Sequence, residues 1–124
     1  MERNWDLIRE ILLRLESKGA DKRVLTTKDF DGDPSHEISY NVRLLQEAGL
    51  IEARILGSTP PSAFFAARLT WSGHELLDAI RDDTIWAKTK RSFLSKGLSM
   101  TFDLVKSAAI GIATECLKSA VRGG

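Results

Sequence analysis

Two short stretches of alternating side chains, separated by a segment of turn-forming residues, constrain the fold of this chain most strongly. Apolar residues alternate with charged ones over residues 51–55, and a second alternation runs over residues 65–69. The segment between them contains Gly57-Ser58-Thr59-Pro60-Pro61-Ser62. A period of two is typical of half-buried strands, and glycine, proline and serine are typical of turns. The pattern therefore predicts an antiparallel β-hairpin.

An amphipathic helix is predicted near the start of the chain. Apolar residues recur at helical spacing from Trp5 to Ser17. Asn4 is placed to cap the first turn, and Gly19 is placed to end the helix in a left-handed conformation.

A second helix is predicted directly before the hairpin. Asp33 suits the N-cap position, and Pro34 suits the first helical position, where its missing N–H costs nothing. The apolar face runs to Ala48, and Gly49 is placed to let Leu50 fold back onto the helix.

The hairpin is followed by a third predicted helix, which Thr70 caps and whose apolar face continues through Ile80 to Trp86. Residues 24–27 predict a short strand between the first two helices. The resulting order is typical of a winged helix-turn-helix with a shortened first half. We therefore expect a mainly α protein with a small antiparallel β-sheet, in which residues 1–96 form the winged-helix domain and residues 97–124 a C-terminal amphipathic helix.

The C-terminal helix is predicted to carry a seam with spacings of three and four residues, which is typical of coiled coils. Such a helix either packs on the winged-helix core or pairs with a second copy, and we expect a homodimer. The predicted oligomerisation residues are Leu98, Phe102, Val105, Ala109, Ile112 and Cys116.

The net charge of the whole chain gives no indication of nucleic-acid binding, so such binding would depend on where individual charged residues lie. The net charge is +1, with 9 Lys/Arg against 11 Asp/Glu in residues 1–62 and 9 against 6 in residues 63–124. If double-stranded DNA is the partner, the second helix would enter the major groove and the hairpin would contact phosphates. We interpret the basic cluster after Trp86 (Lys88, Lys90, Arg91 and Lys96) as a solvated helix surface rather than a phosphate site. The candidate DNA-binding residues are Ser35, Ser39, Tyr40, Asn41 and Arg43 on the second helix, and Arg54 and Arg68 on the hairpin.

The sequence contains no pattern typical of catalysis, metal or cofactor binding, or membrane insertion. His36, His74 and Cys116 are too few and too scattered for a zinc site, and we predict no catalytic residues, no metal and no cofactor. The charge-free span over residues 107–114 is too short to cross a bilayer, which needs about 20 residues. The single cysteine and the charged N-terminus predict a cytoplasmic protein.

Three motifs resemble a bacterial and phage family known as domain of unknown function 2513. They are residues 5–9, residues 44–51, and above all the stretch LTWSGHELLDAIRDDTIW over residues 69–86. The resemblance covers residues 3–117 and implies a winged-helix-like fold in a bacterial, phage or mobile-element setting, without an activity or site residues. At position 41 this chain has Asn41 where the resemblance leads us to expect His, so no role is carried over to it.

Two hypotheses therefore stay open. The chain is a DNA-binding regulatory or accessory protein, or it is a protein-interaction module that kept the winged-helix scaffold and lost DNA binding.

Overall fold

The computed structural model describes residues 3–18, 25–26, 29–30, 35–57 and 63–123, with the backbone alone at 35, 36 and 121–123. The fold is mainly helical with one two-stranded antiparallel sheet, which confirms the predicted fold class. Its elements are α1 (Trp5–Ser17), α2 (Ser35–Glu47), β1 (Ile51–Leu56), β2 (Ala63–Leu69), α3 (Trp71–Ile80), α4 (Asp83–Lys96) and α5 (Phe102–Gly123).

The chain forms two compact units, Met1–Glu75 and Leu76–Gly124. The first contains α1, α2 and the hairpin, and the second contains α4 and α5. The predicted domains, residues 1–96 and 97–124, remain a prediction.

Helix α1 begins as the sequence predicts, because the Asn4 Oδ1 accepts a hydrogen bond from the Leu7 amide at 3.1 Å. It packs against α2 and β2. The buried face contains Leu7, Ile8, Ile11, Leu12 and Leu15. Gly19, the expected C-terminal residue, lies outside the described residues, and Lys18 caps the helix end.

Helix α2 packs against both strands and buries Ile38, Val42 and Leu45. Its end is confirmed: Gly49 has φ 74°, and the Leu50 amide donates to the Leu45 carbonyl at 3.0 Å. The expected start at Asp33 and Pro34 lies outside the described residues.

The hairpin is confirmed, with Ile51 paired to Leu69 at its base and Leu56 paired to Ala63 toward its tip. Leu25 forms an isolated bridge to Ala66, so β2 has a paired neighbour on each side. Leu25 and Thr26 are the described part of the short strand expected over residues 24–27. Segment 58–62 of the predicted turn lies outside the described residues.

The junction between α2 and α3 explains why a Thr and a Gly follow the second strand. The Thr70 Oγ1 donates to the Gly49 carbonyl at 2.6 Å and accepts from the Gly73 amide at 3.1 Å, which confirms the predicted cap. The Thr70 amide also donates to the Leu50 carbonyl at 3.0 Å. A Cβ at position 73 would lie 2.0 Å from that Leu50 oxygen, so only glycine fits. The sequence motifs that contain Gly49 and Gly73 therefore contact each other directly at this junction.

The single helix expected after Thr70 is divided into two helices in the structure. The prediction that α3 continues to Trp86 is wrong, because α3 ends at Ile80 and α4 begins after Asp82. Asp82 has extended backbone (φ −70°, ψ 128°), and its carboxylate accepts from the Ile85 amide at 2.9 Å. A carboxylate in that position starts a helix rather than continuing one.

Helix α5 packs along α4. Gly97, with φ 65°, ends α4 in the left-handed conformation, and the Leu98 amide donates back to the Phe93 carbonyl at 3.2 Å. Leu98 therefore lies in the turn between the two helices, not on the helix where it was expected. The C-terminal helix itself starts at Phe102.

Candidate nucleic-acid interface

Asn41 is a structural residue and not an exposed reader of bases. Its side chain is 0% exposed. The Asn41 Oδ1 accepts from the Asn4 amide at 3.0 Å, and its Nδ2 donates to the Glu37 carbonyl at 2.8 Å. The Asn4 Nδ2 also donates to the Glu37 carboxylate. Asn41 thus joins α2 to the start of α1, and its prediction as a DNA-binding residue is wrong.

The prediction of Ser39 as a DNA-binding residue is corrected in the same way. It is only 2% exposed, since it lies next to Ile38 on the packed side of α2. Helical periodicity placed it on the outer face, but two strands and α1 cover more of this helix than a single stripe.

The outward side of α2 keeps Tyr40 and Arg43, both partly exposed and three residues apart. The Arg43 Nη2 donates to the carbonyl of Gly57 at 3.0 Å, directly after β1. This bond ties the helix to the hairpin and leaves further guanidinium N–H groups for other acceptors. Ser35 is the first residue of α2.

The two candidate DNA-binding arginines of the hairpin differ in their ion-pair partners. Arg54 is exposed and has no ion-pair partner among the described residues. Arg68 binds both oxygens of the Glu52 carboxylate, at 2.9 and 2.6 Å, and also donates to the Leu69 carbonyl at 3.1 Å. Arg54 is therefore the more available of the two for a phosphate.

Sequence reasoning missed the apolar character of the outer hairpin face. Phe65 is directly opposite Arg54 in the β-ladder, and Leu56 is opposite Ala63. Phe65 is 43% exposed and Leu56 is 45% exposed. The predicted alternation placed Phe65 on the same face as Leu69, but a register shift between Glu52 and Ala53 changes the alternation, so that Phe64 is buried and Phe65 is exposed.

Charges on the described parts of α2 and the hairpin are balanced. Arg43, Arg54 and Arg68 are the cations, and Glu37, Glu47 and Glu52 are the acids. Any attraction of DNA would therefore depend on where individual arginines lie rather than on a positive field.

The predicted oligomerisation seam is partly used within one chain. Val105 and Ala109 are fully buried, so the expectation that they contact a second copy is wrong. Phe102 and Ile112 are partly buried, while Leu98 and Cys116 are exposed. The packing of α5 along α4 accounts for this pattern, and the homodimer itself stays a prediction.

The described residues offer neither a metal site nor a membrane-spanning helix. No group of three or more His, Cys, Asp or Glu side chains in the described ranges is arranged to hold a metal ion. None of the helices in the described part of the chain has both the length and the apolar composition needed to span a bilayer.

A helix bonded to a following hairpin, with a second helix bonded to the base of that hairpin, is a winged-helix-like arrangement. The chain belongs to the family described as Hypothetical protein (DUF2513), whose model matches residues 2–99. It is 46% identical over 117 residues to a Haemophilus influenzae protein described as "Uncharacterized protein", covering 94% of this chain and 99% of that relative. No solved structure is significantly similar to the chain.

Proposed function

We propose that this protein is a non-enzymatic, DNA-binding regulatory or accessory protein of a bacterial, phage or mobile-element genome. The observation that carries the proposal is the bond from Arg43 to the Gly57 carbonyl. It keeps the outward side of α2 in a fixed position relative to the hairpin, as a helix in the major groove and a wing on the backbone require. Tyr40 and Arg43 would contact the groove, and Arg54 would contact a phosphate.

DNA binding at the proposed interface should be weak, because few of its arginines are available to contact DNA. Two cationic contacts with the DNA, from Arg43 and Arg54, imply a slope of log affinity against log salt of about −2. Raising the salt from about 50 to about 200 mM should therefore weaken binding about 16-fold.

Fluorescence anisotropy of the full chain with a labelled duplex, at both salt concentrations, tests this proposal. We expect Arg43→Ala and Arg54→Ala each to weaken binding and to reduce the salt slope by about one. Arg81→Ala, which removes the same charge from an exposed position outside α2 and the hairpin, is the control. Binding that is insensitive to salt, or equally affected by all three variants, would contradict the proposal.

The Glu52–Arg68 pair offers a variant that should gain affinity. Glu52→Gln removes an acid and releases the Arg68 guanidinium from its bidentate partner. We expect tighter DNA binding and a slope steeper by about one. Glu115→Gln, which changes the charge equally on α5, should leave binding nearly unchanged.

The second candidate is a protein-interaction module on the same scaffold. The exposed Phe65 and Leu56 on the outer hairpin face favour it, together with the balanced charges. Its test is capture of a partner from a nuclease-treated bacterial lysate, with Phe65→Ser as the variant that should abolish capture and Gln46→Ser as the exposed control. Salt-dependent DNA binding that Phe65→Ser leaves intact would favour the first candidate instead.

A further inference from the structure

A groove runs along one side of the α4–α5 pair. It consists of two adjoining depressions of about 360 and 390 Å³ that share Ser92 and Ala108. Residues spaced by three or four along a helix lie on one side of it, which explains why one row from each helix lines the groove. The rows are Lys88, Ser92 and Lys96 on α4, and Leu104, Ala108 and Gly111 on α5.

The floor of the groove is apolar and open. Ala108 is partly buried, and a Cβ added at Gly111 would meet nothing within 4 Å. Leu104 and Leu98, at one end, are 47% and 54% exposed. Large apolar side chains beside small ones allow another backbone to approach closely and cover them.

The α4 rim of the groove is positively charged. Lys88 and Lys96 are exposed, and neither has an ion-pair partner among the described residues. Glu115, at the far end, pairs with Lys118 at 3.8 Å on its own helix. A ligand that covers the floor therefore meets two unpaired ammonium groups along one edge.

The length of the groove suits a short helix. From Leu104 to Cys116 the α5 row extends about 18 Å at 1.5 Å per residue, which corresponds to about three helical turns. A double-stranded DNA would contact the lysines but would leave the apolar floor exposed to water. An amphipathic helix with acidic flanks satisfies both parts of the surface.

We propose that this groove binds an acidic amphipathic helix of a protein partner, with the apolar side of that helix on Leu104, Ala108 and Gly111 and its carboxylates facing Lys88 and Lys96. The proposal is independent of DNA binding by α2. A second copy of α5 fits less well, because α5 carries Asp103 and Glu115 against Lys106, Lys118 and Arg122 and so lacks the complementary negative charge.

The probe is a labelled 16-residue peptide, helical and amphipathic, with leucines at spacings of three and four and glutamates beside them. Anisotropy with the full chain should show saturable binding below about 1 mM. A peptide with lysine in place of every glutamate, and a scrambled acidic peptide, should both bind at least about tenfold more weakly, a difference of about 1.4 kcal/mol.

Two protein variants locate the binding. Gly111→Leu adds a large side chain to the floor at a position where a Cβ meets nothing within 4 Å, and Lys88→Glu reverses the charge of the rim. Each variant should weaken binding of the acidic peptide at least about tenfold. The matched control is Arg91→Glu, an exposed cation on α4 that is not among the residues lining the groove and should change binding less than about twofold. Circular dichroism of all three variants confirms that each one folds.

Four results would overturn the proposal. They are no binding of the acidic peptide, equal binding of the lysine peptide, indifference to Gly111→Leu in a folded variant, and a fall in the mass measured by light scattering when Gly111→Leu is introduced, which would assign the groove to a second copy.

Discussion

The two units of this protein are held together in different ways. In Met1–Glu75, polar contacts join segments far apart in the chain: Asn41 to Asn4, Thr70 to Gly49, and Arg43 to Gly57. In Leu76–Gly124, Thr89, Ser92 and Thr114 each donate to a carbonyl four residues earlier on the same helix, and the helices meet through apolar packing. The first unit should therefore be sensitive to single polar or glycine substitutions, and the second should be more tolerant of them.

The largest expected difference between the units is in their glycines. Gly73→Ala would place a Cβ 2.0 Å from the Leu50 carbonyl oxygen, and because that contact is with backbone we expect a loss of about 3 kcal/mol in the free energy of unfolding. Gly111→Ala meets nothing within 4 Å and should be neutral or stabilising by up to about 1 kcal/mol. Urea denaturation followed by circular dichroism measures both, and equal midpoints would contradict the comparison.

Removing the buried side-chain amide of Asn41 should destabilise the first unit somewhat less than Gly73→Ala does. Asn41→Ala leaves the Asn4 amide without its acceptor and should lower the free energy of unfolding by about 2 kcal/mol. Gln46→Ala, on the exposed end of the same helix, should change it by less than about 0.5 kcal/mol. A small effect at both positions would show that the α1–α2 contact does not depend on this polar pair.

In the second unit, the most sensitive polar position should be a helix cap. Asp82→Ala removes the acceptor of the Ile85 amide and should cost about 1 kcal/mol, whereas Asp82→Asn keeps an acceptor and should be nearly neutral. Amide hydrogen exchange in the first turn of α4 should increase in the alanine variant alone. An equal increase in both variants would assign the effect to charge instead of capping.

The smallest effect is expected at the surface ion pair of the hairpin. Glu52→Ala breaks the contact with Arg68, but both side chains are more than half exposed, so the change should be below about 0.5 kcal/mol. The measurement is a urea midpoint with and without added salt. A loss above about 1 kcal/mol would mean that this exposed pair stabilises the hairpin base as strongly as a buried contact.

The sequence predicts the first unit better than the second because its elements have distinct periods. The alternation at residues 51–55 and 65–69 predicts two strands and Gly49 predicts a helix end, and all three elements are confirmed. The side of the second strand that is buried is not predicted correctly, because a register shift near its base exposes Phe65. From Trp71 onward every element is helical, so periodicity alone continues α3 through Arg81 and Asp82. The consecutive Asp82 and Asp83 were the local signal for a new helix start.

The candidate site could be predicted only in part. Periodicity identifies one buried stripe on α2, but it does not reveal that Ser39 and Asn41 are also covered by neighbouring elements. Availability of an arginine depends on partners that only three-dimensional contacts disclose, as the difference between Arg54 and Arg68 shows. The same limit applies to Val105 and Ala109, whose seam fits an intramolecular neighbour as well as a second chain.

The bonds from Thr70 to Gly49 and Leu50 close the hairpin at its base, independently of its far end. Insertions into the serine- and proline-containing segment would then cost only the entropy of a longer loop, about 0.6 kcal/mol for each doubling of its length. An epitope or reporter peptide inserted between Gly57 and Ala63 should accordingly be displayed without opening the base of the hairpin.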